Sequence, residues 1–165
     1  MNTVTEPLPR SKRVANSARK RFTKMVPVLA GGWGSIRRET LLLSGVDRHN
    51  LIQEGLKTRI LLRALRTFRY VPEDQLLLAI GLSTKTLGRR EESRLGPRHS
   101  DAAMALIDVT DMAEHVLGTR ELAEHWLSKS ALALDGRRPM DLLTSTPGVE
   151  AVKDLLTRME YGVYA

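Results

Sequence analysis

Apolar residues in this chain recur three and four positions apart, and nowhere do they alternate with polar ones along a segment. That spacing is one turn of an α-helix, and it lays a stripe along one side that must be buried. Three stripes stand out. The first holds Leu51, Ile52, Leu56, Ile60, Leu61, Ala64, Leu65 and Phe68. The second holds Ala102, Ala105, Leu106, Val109, Met112, Ala113 and Val116, and the third Val149, Val152, Leu155, Leu156 and Met159. With no period-two segment and no fixed-length repeat, the sequence reads as all-α. Only 4% of the 165 residues are aromatic. Packing must therefore rest on Leu, Ile, Val, Ala and Met.

Local signals set the expected boundaries. Gly31, Gly32 and Gly34 in "AGGWGSIRRE" read as a linker carrying one anchoring aromatic, Trp33. A short helix is expected from Ser35 to Leu43, with Asp47 capping the next. The stripe over 51–68 reads as one helix in which Gly55 weakens the first turn. Pro72 opens a further helix with Glu73 and Asp74 in its first turn, where the helix dipole favours anions, and Gly81 ends it. Gly118 ends the second stripe and Thr119 caps "RELAEHWLSKS". "DGRRP" is a turn, Pro139 opens a short helix, and Thr146 is expected to cap the last helix, with Pro147 at its first position.

Charge divides the chain in two. Residues 1–100 carry a net +12 and residues 101–165 a net −5, which together make the overall +7. A basic front and an acidic back suggest partners of opposite sign, and the basic part suits a polyanion such as DNA. Arg10, Lys12, Arg13, Arg19, Lys20, Arg21 and Lys24 form a basic arm or amphipathic helix. Between Gly81 and Ser83 lies a turn of the length a helix-turn-helix uses, with Leu77, Ile80, Leu82 and Leu87 placed to pack it. The second helix of such a motif enters the major groove by its N-terminal residues. Ser83, Thr84, Lys85, Thr86, Arg89, Arg90 and Arg94 are the candidate DNA contacts. Two features depart from the motif: Leu77 stands where a small residue is usual, and Gly88 lies inside the would-be recognition helix. Weak binding by one copy implies a homodimer on a two-fold-related site.

The last seven residues, "MEYGVYA", leave a helix for two tyrosines and a valine with no charge after Glu160. Such a stub needs a cover. Either Val163 and the tyrosines finish the chain's own core, or another protein covers them. Tyrosine suits the second role, because it offers much contact area with few torsions to freeze. Both arrangements are compatible if Val163 turns inward and the tyrosines outward.

"HWLSKSALALDGRRPMDLLTSTPGVEAVKDLLTRMEYGVYA" resembles the C-terminal toxin-binding region of the Xre/MbcA/ParS antitoxins, the group described by the DUF2384 domain. The matching features are Trp126–Leu127, Leu134–Asp135–Gly136–Arg137–Arg138–Pro139 and Asp141–Leu142–Leu143. Thr146, Gly148, Val152, Leu155, Arg158, Glu160, Tyr161, Gly162, Val163 and Tyr164 complete the set. About 40 residues resemble the family strongly and about 100 loosely, as its members have a helical Xre-like front part. The chain departs from the pattern at Ser130–Ala131–Leu132, where Asn-Pro is common, and at Asp135, where Gly is common. The resemblance implies a type II antitoxin without catalysis of its own. Its partner would be a RES-domain toxin, similar in fold to ADP-ribosyltransferases and consuming NAD. The antitoxin would cover the toxin's cleft and repress its own operon. On this reading residues 1–34 are a basic arm or helix and linker, 35–98 the helix-turn-helix DNA-binding region, and 99–165 the toxin-binding domain. Arg158, Glu160, Tyr161, Gly162, Val163, Tyr164 and Ala165 are the candidate toxin contacts. A cleft built for a dinucleotide holds anion-binding groups, so an aromatic tail ending in a carboxylate suits it. The rival reading is a stand-alone helix-turn-helix regulator whose C-terminal half dimerises.

Other chemistry finds little support. Cysteine is absent, which excludes disulfides and thiolate metal sites. His49, His99, His115 and His125 show no metal-binding spacing, and no cofactor is expected. "AGGWGS" lacks the lysine of a phosphate loop. Asp108, Asp111, Glu114, Glu121 and Glu124 read as the solvated sides of amphipathic helices, or as surfaces facing a basic partner. No apolar run approaches a membrane span and no signal peptide is expected, so the reading is cytoplasmic.

Overall fold

The computed structural model describes residues 32–84 and 93–163. The basic arm lies outside them. Within these residues the chain is helical, with eight α-helices, one short 3-10 turn and no named strands. The helices are α1 (Gly32–Leu41), α2 (Gly45–Glu54), α3 (Thr58–Leu65), α4 (Glu73–Ala79), α5 (Pro97–Leu117), α6 (Arg120–Ser128), α7 (Pro139–Leu142) and α8 (Thr146–Glu160); the 3-10 turn is Leu132–Leu134. The all-α expectation holds.

The longest helix, α5, is the centre of the packing. Its buried residues are Ser100, Ala103, Met104, Leu106, Ile107, Val109, Thr110 and Ala113. At 3.6 residues per turn they cover roughly 220° of its circumference. A surface helix needs only a narrower stripe; α5 buries more because neighbours lie on several sides. It contacts α1, α2 and α4 from the front of the chain and α6 and α8 from the back. The buried side chains form one continuous cluster from Trp33 to Leu156.

Three boundaries differ from the sequence expectation. Helix α1 begins at Gly32, so Gly32 and Gly34 are helical rather than linker. The reason is Trp33, buried with its ring edge-on to Phe68 at 4.7 Å between centroids. Burying that indole outweighs the cost of two glycines, about 1 kcal/mol each. Ser44, not Asp47, caps α2: its hydroxyl oxygen accepts from the Asp47 amide at 3.2 Å. Ser145, not Thr146, caps α8 by accepting from the Gly148 amide.

A fourth difference is larger. The expected single helix over 51–68 is two, broken at Gly55, whose φ is 82°. The following residues pair with the strand-like segment before α5 instead of coiling on. Leu95 N donates to Leu56 O at 2.8 Å, and Thr58 N to Ser93 O at 3.0 Å. Ser100 Oγ accepts from Leu56 N, and Arg94 Nη1 donates to Gly55 O at 2.7 Å. A Cβ on residue 55 would lie 2.1 Å from the Leu95 carbonyl oxygen. Glycine is required there both for the positive φ and for that close approach.

Helix α4 ends as expected at Gly81. Gly81 N donates to Leu78 O and Leu82 N to Leu77 O, the two-bond Schellman stop, with Leu77 and Leu82 both buried beside it. In α1, Glu39 has a buried carboxylate oxygen with no partner, and burial raises its pKa above the ordinary value.

Gly55→Ala forces both a strained φ and a clash with backbone. The expected loss is roughly 2–4 kcal/mol. Urea melts should show a lower midpoint with an unchanged slope.

Candidate functional site

The C-terminal end is built on a rigid base. Helix α8 packs against α5, α7 and the 3-10 turn. Val149, Val152, Leu155 and Leu156 are buried along it, with Met159 partly so, as the third stripe requires. Near its start Gly148 lies so close to α7 that a Cβ would sit 2.0 Å from Leu142 O. The helix then stops in a second Schellman motif: Gly162 N donates to Met159 O at 3.2 Å and Val163 N to Arg158 O at 2.8 Å. Gly162 takes a φ of 68°, which turns the backbone away from the helix axis.

That stop leaves the apolar residues outside. Tyr161 is 74% and Val163 57% exposed. Neither completes the core, so the arrangement with Val163 turned inward is corrected: it points to solvent with Tyr161. Arg158 is half-buried and Glu160 exposed, its carboxylate 3.5 Å from His115 Nε2. Tyr164 and Ala165 lie outside the described residues.

The second candidate region is the turn after α4. Ser83 and Thr84 are exposed, and Thr84 is already helical. His99 Nδ1 lies 2.9 Å from Ile80 O, tying the turn to α5. Lys85, Thr86, Arg89 and Arg90 lie outside the described residues. Arg94 is exposed but commits one N–H to Gly55 O. The described residues on both sides of 85–92 are thus anchored, one side by the Schellman stop and the other by the pairing with 56–58.

The carboxylates expected to be solvated are mostly engaged within the chain. Asp111 and Glu114 on α5 both bind Arg37 of α1, and Asp108 takes Arg48 of α2 at 2.7 Å. Glu124 is only 2% exposed. It accepts from the backbone amides of Arg69 and Tyr70 at 2.7 and 3.0 Å, and from Arg120 Nε at 2.7 Å. The same Arg120 guanidinium sits 4.3 Å over the Phe68 ring. A buried carboxylate is stable only with such a full set of donors. Sequence reasoning missed this role, although Glu124 falls between Ala123 and Leu127 in the buried phase of α6. Of the five acidic residues, Glu121 remains exposed as expected. Among the described residues no group of three His, Asp or Glu side chains is placed to hold a metal ion, and no helix is long and apolar enough to cross a membrane.

These features define an all-α protein whose C-terminal segment holds an uncovered apolar hook on a packed helix. Residues 112–162 match the model of the antitoxin Xre/MbcA/ParS C-terminal toxin-binding domain family. The resemblance read from the sequence is shown. Two relatives, each called Antitoxin Xre, align over longer stretches. One, from Yersinia enterocolitica, is 31% identical over 98 residues, which is 58% of this chain and 66% of the relative. The other, from Pseudomonas putida, is 28% identical over 123 residues, covering 73% of this chain and 76% of the relative. The chain thus spans just under two thirds of the first relative and about three quarters of the second.

Removing the Glu124 carboxylate leaves two backbone amides and a guanidinium without their acceptor. Glu124→Ala should cost roughly 3–5 kcal/mol. Glu124→Gln, which keeps one acceptor oxygen, should cost less. Hydrogen exchange at the Arg69 and Tyr70 amides should accelerate in both variants, most in Glu124→Ala.

Proposed function

We propose that this chain is a type II antitoxin that neutralises a RES-domain, NAD-degrading toxin by direct binding in the cytoplasm, and has no catalysis of its own. The observation that carries the reading is the exposed Tyr161–Val163 hook at the end of α8. Its place at the edge of a segment matching a toxin-binding domain supports it. Tyr161 supplies a large apolar surface with a hydroxyl at its tip, and the Schellman stop fixes the direction of departure from the helix. Arg158, Glu160 and residues 161–165 form the contact that closes the toxin's cleft.

The basic front represses the operon. Ser83, Thr84, Lys85, Thr86, Arg89, Arg90 and Arg94 contact operator DNA, and a homodimer places two such segments on a two-fold-related site. Anchoring of the flanking residues supports this role, since groove readers need fixed entry and exit.

Truncation after Glu160 should abolish neutralisation of the cognate RES-domain toxin. The truncation also removes three backbone hydrogen bonds at the helix end, donated by Tyr161, Gly162 and Val163. Tyr161→Asp keeps all three and should still weaken binding at least tenfold, with an unchanged melting temperature. Full inhibition at stoichiometric ratio by both variants would sink the reading.

DNA binding is tested separately with a fragment from upstream of the gene. Affinity should fall steeply as salt rises from about 50 to 200 mM. Replacing Lys85, Arg89 and Arg90 together by Ala should flatten that slope by up to about 3 units. An unaltered slope would remove these residues from the interface.

A further inference from the structure

The segment that matches the toxin-binding family holds a second uncovered apolar side chain. Leu132, in the turn between α6 and α7, is 96% exposed, the highest value among the large hydrophobic residues described. One exposed leucine is ordinary. The backbone that carries this one is not. Ala131 N donates to Arg137 O, Gly136 N to Ala131 O and Leu134 N to Ala131 O, while Asp135 N donates to Leu132 O and Arg137 N to Leu134 O, all between 3.0 and 3.1 Å. Closing the turn places Asp135 at a φ of 55°, the one positive value at a non-glycine among the described residues. Strain of that kind persists where the surrounding structure enforces it, and it concentrates at binding sites. Leu134, buried two residues on, roots the loop, and the loop packs against α8, the helix that bears the hook.

We infer that Leu132 is a second anchor for the toxin, entering an apolar pocket on the toxin's surface apart from the cleft that receives the tail. The inference rests on the antitoxin reading and extends its contact surface. Three observations favour a toxin over other occupants. Leu132 falls within residues 112–162, the segment that matches a toxin-binding domain. The turn packs on α8, the helix that carries the tail, so both contacts are held by the same element. Its backbone is already fixed, so docking freezes little more than one leucine side chain, the property that turns a small contact into affinity. Lys129 and Arg137 are exposed on either side of the turn and Asp135 within it, so the pocket that fits it has a polar rim of mixed charge.

The experiment measures binding of the full-length chain to the cognate RES-domain toxin. Because Leu132 is exposed, Leu132→Asp should leave the melting temperature unchanged. It should weaken the complex at least tenfold, mostly through faster dissociation. Leu132→Met, which keeps the apolar volume, should bind like the wild type. Wild-type binding with no more than a twofold change in Leu132→Asp overturns the second anchor and leaves the tail reading intact. A wild type that fails to bind the toxin overturns both. Loss of binding in Leu132→Met as well as Leu132→Asp, with both variants folded, would also overturn the pocket, since shape and not apolar burial would then decide.

Discussion

Burial of α5 on several sides at once is the constraint on which the rest of the molecule depends. Ile107, Val109 and Ala113 have no exposed surface, and Met104 and Leu106 almost none. Each fully buried aliphatic side chain contributes about 1.5–3 kcal/mol relative to exposure. Because the helices before and after α5 share its surface, neither set can complete its own core without the other. The position of the turn after α4 and that of the C-terminal hook are therefore both referred to this one helix. His99 holds the first from the N-terminal turn of α5, and packing of α8 along α5 holds the second.

The charge asymmetry has a different meaning in the fold than in the sequence. Part of the positive excess of the front half is spent inside the protein. Arg37 and Arg48 reach α5, where Asp108, Asp111 and Glu114 receive them. These pairs are partly exposed, so each adds little stability by itself. Their effect is on register: they fix which side of α5 faces α1 and α2. Glu124 acts differently. Deeply buried, it joins the loop before α4 to α6 through two backbone amides and Arg120. A carboxylate with that many donors specifies a single packing, because every alternative leaves a charge without partners.

How much of this was legible depended on whether the deciding contact was local. The stripes of α5 and α8 are periodic over many residues, and their buried positions follow directly from the spacing. Gly81, Gly118 and Thr119 were legible because a cap involves only neighbouring residues. Gly55 was not. Leu51, Ile52, Leu56 and Ile60 stay in helical phase across it, so periodicity alone favours continuation. What breaks the helix is the pairing of Leu56 and Thr58 with Leu95 and Ser93, some 35–40 residues away. Trp33 is a similar case: two glycines mark a linker until Phe68 and Arg120 supply a site for the indole. Glu124 was partly legible, since its phase in α6 is a buried one. Its charge argues for solvent and its phase for burial, and the donors from Arg69, Tyr70 and Arg120 decide for burial. At the candidate site, the composition of "MEYGVYA" showed that something must cover it. It did not show which way Val163 faces, because that is decided by the two hydrogen bonds of the helix stop.

Those two bonds also bear on how a partner is recognised. A tail that continued α8 would leave along the helix axis and place its side chains at helical intervals. A frayed tail would sample many directions and lose that freedom on binding, about 1–2 kcal/mol per residue. The Schellman stop does neither: it fixes the backbone through Val163 while turning it out of the helix, with Tyr161 and Val163 on the outside. The helix that bears the hook is itself held, since Gly148 near its start brings α8 within backbone contact of α7. The apolar surface is therefore exposed and ordered together, a combination that is costly for a free chain and favourable for a rigid docking element. It follows that residues 161–163 are shaped by the fold rather than left over from it, and that the core around α5 is what keeps the hook aimed.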